Sequence, residues 1–126
     1  MNFENYIAAY NSGDPDALAP FYTEDVITDG PDGRHHGREA LIGMLNFIHD
    51  GVTEILDPQL VVREDDLILA EVNGTFTADR DRPDFMFKPL EAGERLTMKF
   101  FTSYRLRNDQ IAHFTLGCWP AQRQVT

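Results

Sequence analysis

Between Arg95 and Trp119, hydrophobic and polar positions alternate in two runs separated by Asn108-Asp109. In the first run Met98, Phe100, Thr102, Tyr104 and Leu106 share one side, while Thr97, Lys99, Ser103, Arg105 and Arg107 share the other. Successive side chains of a strand point to opposite faces, so the pattern predicts a strand with one buried and one wet face. Asn and Asp tolerate the left-handed backbone of a two-residue hairpin, which puts the turn at Asn108-Asp109. The return strand is expected to carry Ala112, Phe114, Leu116 and Cys118 on one face, with Ile111, His113, Thr115 and Trp119 on the other. So long an amphipathic hairpin needs a cover, which the rest of the chain must supply.

Upstream the period changes. Phe3, Tyr6, Ile7 and Tyr10 fall at i, i+3, i+4 and i+7, one stripe of a helix over residues 2–12 that Gly13 ends. Asp14-Pro15 reads as the cap and first turn of a second helix, with Leu18, Phe21 and Tyr22 as its buried edge. A short extended piece, Val26 to Asp29, runs into the turn cluster Gly30-Pro31-Asp32-Gly33. A third helix is predicted from Arg38 to His49, with Leu41, Met44, Leu45 and Ile48 on one stripe. Residues 53–63 carry the weakest strand signal, because Pro58 has no N–H to give to a ladder. From Leu67 to Ala78 alternation returns, with Ile68, Ala70, Val72, Gly74 and Phe76 on one face. Residues 79–94 form a long connection, charged at first and then apolar at Phe85, Met86 and Phe87; it is either a lid or an anchored loop. Residues 120–126 read as a polar tail. Three helices segregated from an antiparallel sheet give an α+β domain spanning residues 1–126.

Composition narrows the partners. The 126 residues are 42% hydrophobic and 25% charged, ordinary values for a globular domain, with a net charge of −10. Such a surface repels nucleic acid phosphates and anionic membranes, and no apolar run reaches the ~20 residues of a membrane helix. The opening residues lack the basic start and apolar centre of a signal peptide, so a cytoplasmic protein is expected. A single cysteine, Cys118, leaves no internal disulfide and no cysteine-based metal site. The partner that fits is a small apolar molecule.

Three stretches then carry a resemblance: Tyr6-Ile-Ala-Ala-Tyr-Asn-Ser-Gly-Asp14, Phe21-Tyr-Thr-Glu-Asp25 and His36-Gly-Arg-Glu-Ala-Leu41. Together they resemble the nuclear transport factor 2-like superfamily, closest to ketosteroid isomerases and SnoaL-like polyketide cyclases. The resemblance implies a cone-shaped fold, its curved mixed or antiparallel sheet wrapped around a cavity and closed by three N-terminal helices. It also implies a homodimer through the outer sheet face and chemistry without a cofactor. Members of the superfamily range from isomerases and dehydratases to proteins with no catalysis, so the fold is better specified than the reaction.

Carried over by position, the resemblance makes Tyr6 the donor to a substrate carbonyl and Tyr22 its support. Asp29 stands nearest to the isomerases' catalytic base, although one residue fewer precedes it and Gly30 separates it from Pro31. Thr102 occupies the place of a second, protonated acid, and Leu45 that of a further tyrosine. The expected catalytic residues are therefore Tyr6, Asp29 and Thr102, with Tyr10, Tyr22, Met98, Phe100, Tyr104, Phe114 and Leu116 binding the substrate. Each has a plainer reading beside it. Tyr6 could be a core tyrosine, Asp29 could cap a turn, and the Thr102 hydroxyl could bond to backbone. His35-His36 lacks a third ligand for metal. His113, opposite the apolar face, is read as an interface histidine. The implied activity is isomerisation, cyclisation or dehydration of a cyclic carbonyl or hydroxyl compound; the alternative is a protein that holds such a ligand without turning it over.

Overall fold

The predicted hairpin forms the centre of the sheet. In the computed structural model, which describes residues 1–125, β5 (Arg95–Arg107) and β6 (Gln110–Cys118) flank a turn with Asn108 and Asp109 both at positive φ, 51° and 64°. The remaining strands are β1 (Tyr22–Gly30), β2 (Gly33–His36), β3 (Val52–Glu64) and β4 (Leu67–Ala78). The sheet order is β2-β1-β6-β5-β4-β3, antiparallel throughout except for the β1–β6 pair, which is parallel. The helices are α1 (Phe3–Asn11), α2 (Pro15–Leu18) and α3 (Arg38–Ile48). The sheet is mixed, curved and unclosed, and the class is α+β. No helix among the described residues is long and apolar enough to cross a membrane.

Local chemistry accounts for most boundaries. The Asn2 side chain caps α1 through Asn5 N (2.9 Å), and Gly13, at φ 71°, turns the chain out of it. Asp14 caps α2 through Asp16 N (2.9 Å). The second helix is shorter than predicted: Pro20 cannot donate an i→i−4 bond, the chain tightens into a 3₁₀ turn at Ala19–Phe21, and Tyr22 opens β1. α3 buries Leu41, Leu45 and Ile48 as its stripe requires.

Two bulges redirect side chains. Leu106 pairs with Ile111 but Arg105 with His113, so Ala112 is the extra residue of β6. A one-residue insertion exchanges the faces, and Ile111, expected on the wet side, lies fully buried beneath the sheet. In β3, Leu60 pairs with Glu71 and Pro58 with Val72, which makes Gln59 the extra residue. β3 is an edge strand, where a proline and a bulge are tolerated.

The long connection is anchored. Arg82, 1% exposed, donates from Nη1 to the carbonyls of Ile48 (3.2 Å) and Asp50 (2.6 Å), and from Nε to Asp84 (3.1 Å). Its guanidinium also lies over the Phe47 and Phe85 rings, 5.1 and 5.6 Å from their centroids. A cation thus satisfies carbonyls left over at the C-terminus of α3, where the helix dipole favours positive charge. This fixes Phe85 and Phe87 against Phe76.

Candidate functional site

Between the concave face of the sheet and the helices lies a cavity of about 90 Å³, almost wholly apolar in its walls. Tyr6 and Tyr10 of α1 enter from one side, Leu41, Met44, Leu45 and Ile48 of α3 from another, and Phe100, Tyr104, Phe114 and Leu116 from the floor. Met86 and Phe87 of the long connection complete the wall. A benzene-sized guest occupies a cavity of ~150 Å³, so a ring ligand requires the wall to give, and Met86, 36% exposed, is the wall residue most open to solvent among its large hydrophobic side chains.

The expected substrate-binding residues Tyr10, Tyr22, Phe100, Tyr104, Phe114 and Leu116 all reach this cavity. Met98 does not: it is buried in the packing beside the cavity, on the same face of β5 but outside its wall.

Tyr6 and Tyr22 meet inside it, their hydroxyls 2.7 Å apart, with Tyr22 supporting from the start of β1 rather than from a helix end. Burial pushes both hydroxyls above the usual tyrosine range, and raises Tyr104 to about 12. All three phenols therefore stay protonated and can act as donors.

Asp29 departs from expectation. Asp29 reaches the cavity wall only at its mouth, on the strand face opposite Val26 and Thr28 and in register with Thr115 of β6. The pairing of β1 with β6 shifts register between Tyr22 and Ile27, and a one-residue change of register exchanges faces. Near the cavity mouth the Asp29 carboxylate accepts two bonds from Arg34 (2.7 and 2.9 Å) and lies 2.7 Å from His113 Nε2. Arg34, then His113, hold the carboxyl far below the usual carboxylate range. This is an ion-paired aspartate, not a base desolvated in an apolar pocket. His113 is on the outer face as predicted, but its partner is Asp29.

Thr102 faces inward, yet its hydroxyl donates to the Ala70 carbonyl (3.1 Å). Its one proton is engaged, so it meets a ligand as an acceptor and does not replace a protonated acid. His35 pairs with Asp32 (2.8 Å), and no cluster of three His, Cys, Asp or Glu side chains among the described residues is placed to hold a metal ion.

Two groups went unread in the sequence. Thr28, 3% exposed and in the cavity wall, has no hydrogen-bond partner for its Oγ1 among the described residues. Glu54 enters from β3 with its side chain 6% exposed. Its Oε1 accepts the Tyr10 hydroxyl (2.6 Å) and lies 2.7 Å from His49 Nε2. Counting back from the Asp65-Asp66 turn without a bulge would pair Glu54 with Thr77, on the outer face; the bulge at Gln59 pairs it with Phe76, on the inner one. Pro58 was the available signal.

Residues 3–114 match the profile of the SnoaL-like domain family. The chain belongs to that family. No curated protein matches it in sequence. Among solved structures, the SnoaL-like domain is similar to a candidate polyketide cyclase from Xanthomonas campestris pv. campestris (26% identity, TM-score 0.77, covering 90% of this chain and 84% of the other). A candidate polyketide cyclase from Pseudomonas putida is 23% identical with a TM-score of 0.78, covering 91% and 86%. A protein of ketosteroid isomerase-like fold from Catenulispora acidiphila, in complex with trimethylamine, is 15% identical with a TM-score of 0.73, covering 91% and 82%. These likenesses concern the fold. The site's chemistry must be argued from its own side chains.

Proposed function

We propose that this SnoaL-like domain is a cytoplasmic, cofactor-free acid–base enzyme acting on a small apolar ring compound with a carbonyl or hydroxyl group. The reaction is an isomerisation, a cyclisation or a dehydration. The observation that carries the reading is the Tyr6–Tyr22 hydroxyl pair in a cavity whose walls are mostly apolar. Two hydroxyls joined by one bond use one proton and keep the other. Buried donors seek acceptors, and a ligand oxygen that gains negative charge during reaction is the strongest one available. Thr28 adds a second polar group in the same wall, its Oγ1 without a partner among the described residues and placed to bond a polar ligand atom. The apolar walls set the rest of the specificity.

The test is turnover of the β,γ-unsaturated isomer of cyclohexenone to its conjugated form, followed by ultraviolet absorbance, with binding measured by calorimetry. Conversion faster than in buffer at the same pH supports the reading; binding without conversion refutes it. A second reading, a protein that holds its ligand unchanged, is favoured by one observation: the carboxylate nearest the expected base position is ion-paired with Arg34 and hydrogen-bonded with His113.

The outer face of β3, β4 and β5 exposes Leu60, Val62, Leu69 and Phe101 together. We assign this patch to a second copy of the chain, as a homodimer. A Phe101→Glu variant that sediments as the wild type does, at the same concentration, counts against it.

A further inference from the structure

We propose that Glu54 is the proton acceptor of this cavity, the catalytic residue in the place Asp29 was expected to fill, with His49 and Tyr10 as its positioning residues. The inference rests on the acid–base reading above and names the group that reading lacks.

Three acidic residues contribute to the cavity wall. Asp29 and Asp32 are at the mouth and are paired, the first with Arg34 and His113, the second with His35. Glu54 also has a histidine partner, His49, but of the three it is the one whose side chain is nearly buried, 6% exposed against 29% and 36% for Asp29 and Asp32. A carboxylate offers about four lone-pair sites; the two bonds made here both fall on Oε1, from the Tyr10 hydroxyl and at His49 Nε2. Oε2 has no hydrogen-bond partner among the described residues. Gly74, on β4 opposite Leu56, leaves space beside it: a Cβ there would come within 3.4 Å of Oε2 and 2.5 Å of the Phe100 ring. The missing side chain keeps both groups where they are.

A desolvated carboxylate held by one oxygen and bare at the other is what proton abstraction from carbon requires. The donors lie in the same cavity. The charge of Glu54 adds to burial in raising the hydroxyls of Tyr10, Tyr22 and Tyr104. These groups and His49 are the titratable side chains that face it; Tyr6 lies beyond, against Tyr22.

The step balances without a co-reactant. Oε2 takes a proton from the carbon next to the ligand carbonyl. The C–H electron pair becomes a carbon–carbon double bond, and the carbonyl oxygen takes the negative charge, accepting a hydrogen bond from the Tyr6–Tyr22 pair. The Glu54 carboxylic acid then gives its proton to the far carbon of the dienolate, restoring the carbonyl and the carboxylate. His49, whose side chain is 26% exposed, joins the carboxyl to solvent; rotation of the neutral carboxylic acid about its Cγ–Cδ bond brings the carried proton to the oxygen that His49 contacts, where it exchanges before it is returned.

The experiment uses the full chain and β,γ-unsaturated cyclohexenone. E54Q keeps the size of the side chain and an oxygen for Tyr10, but cannot take the proton. Its kcat is expected to fall by about 10²–10⁴, while KM stays within about threefold. E54D, whose carboxylate is set back by one methylene, is expected to lose about 10²-fold through misplacement. In deuterated buffer the wild-type product gains deuterium at the receiving carbon, and H49Q lowers that incorporation, which a purely structural histidine would leave unchanged. Full kcat in E54Q, or in E54A should E54Q prove unfolded by circular dichroism, overturns the assignment and leaves the acid–base reading standing. A wild-type protein that binds the ketone but does not convert it overturns both.

Discussion

Removing Arg82 tests how the cavity wall is held. R82A strips two backbone carbonyls, Ile48 O and Asp50 O, of a charged donor and uncovers the Phe47 and Phe85 rings. Hydrogen bonds to charged groups contribute about 1.5–3 kcal/mol each, so the two, one buried and one part-buried, give roughly 3–6 kcal/mol as an upper range. The bond to Asp84, exposed at the surface, is left out of that sum. We take 4 kcal/mol as the working figure, about the cost of the larger core truncations. At roughly 2.1 cal/mol/K per residue, the 126 residues give an unfolding entropy of about 0.26 kcal/mol/K, and the midpoint falls by about 15 °C. Urea denaturation gives the free energy and calorimetry the midpoint. R82K keeps a charge but has no planar fork to span both carbonyls, and should recover only part of the loss. A decrease below about 1 kcal/mol, within the range of a single neutral bond, would mean that these carbonyls do not depend on the guanidinium and that the 79–94 connection is held by its aromatic residues alone.

The remaining predictions concern the cavity and its mouth. Tyr6→Phe removes one hydroxyl of the donor pair and should lower kcat about 10²–10³-fold, with ligand affinity, measured by calorimetry, almost unchanged. Thr28→Val replaces an unpartnered buried hydroxyl with an isosteric methyl; it should stabilise the empty protein by about 1 kcal/mol in urea denaturation and weaken binding of a carbonyl ligand. Asp29 has its carboxyl depressed in the folded state, so its contribution is complete above the ordinary aspartate value, ~3.9, and is lost as pH falls below it. Asp29→Asn should therefore flatten the acid limb of the urea-midpoint profile below about pH 4 and lower stability at neutral pH, where the wild-type pair is intact.

Much of the fold was legible because its signals are local. The alternation of β4 and β5, the helical stripe Leu41, Leu45, Ile48 and the Asn108-Asp109 turn each express a backbone period within a dozen residues. The tyrosines were legible for the same reason, since Tyr6 and Tyr10 stand on the stripe that must face the core. Arg82 was not, because nothing beside it in the chain announces that Ile48 and Asp50 will present carbonyls to it across 34 and 32 residues.

What the sequence determined by itself is the set of elements and the apolar faces that close on one another, because side-chain period and turn chemistry act over neighbouring residues. Which carboxylate looks into the cavity was decided only by the tertiary structure. A strand's side chains reverse with every single residue of register, and register here is set by distant partners and by bulges. The parallel pairing of β1 with β6 sends Thr28 in and leaves Asp29 at the mouth, and the bulge after Pro58 turns Glu54 inward against Phe76. A proline that weakened the strand signal in the sequence is, in the folded chain, next to the bulge that brings the enclosed carboxylate into the site.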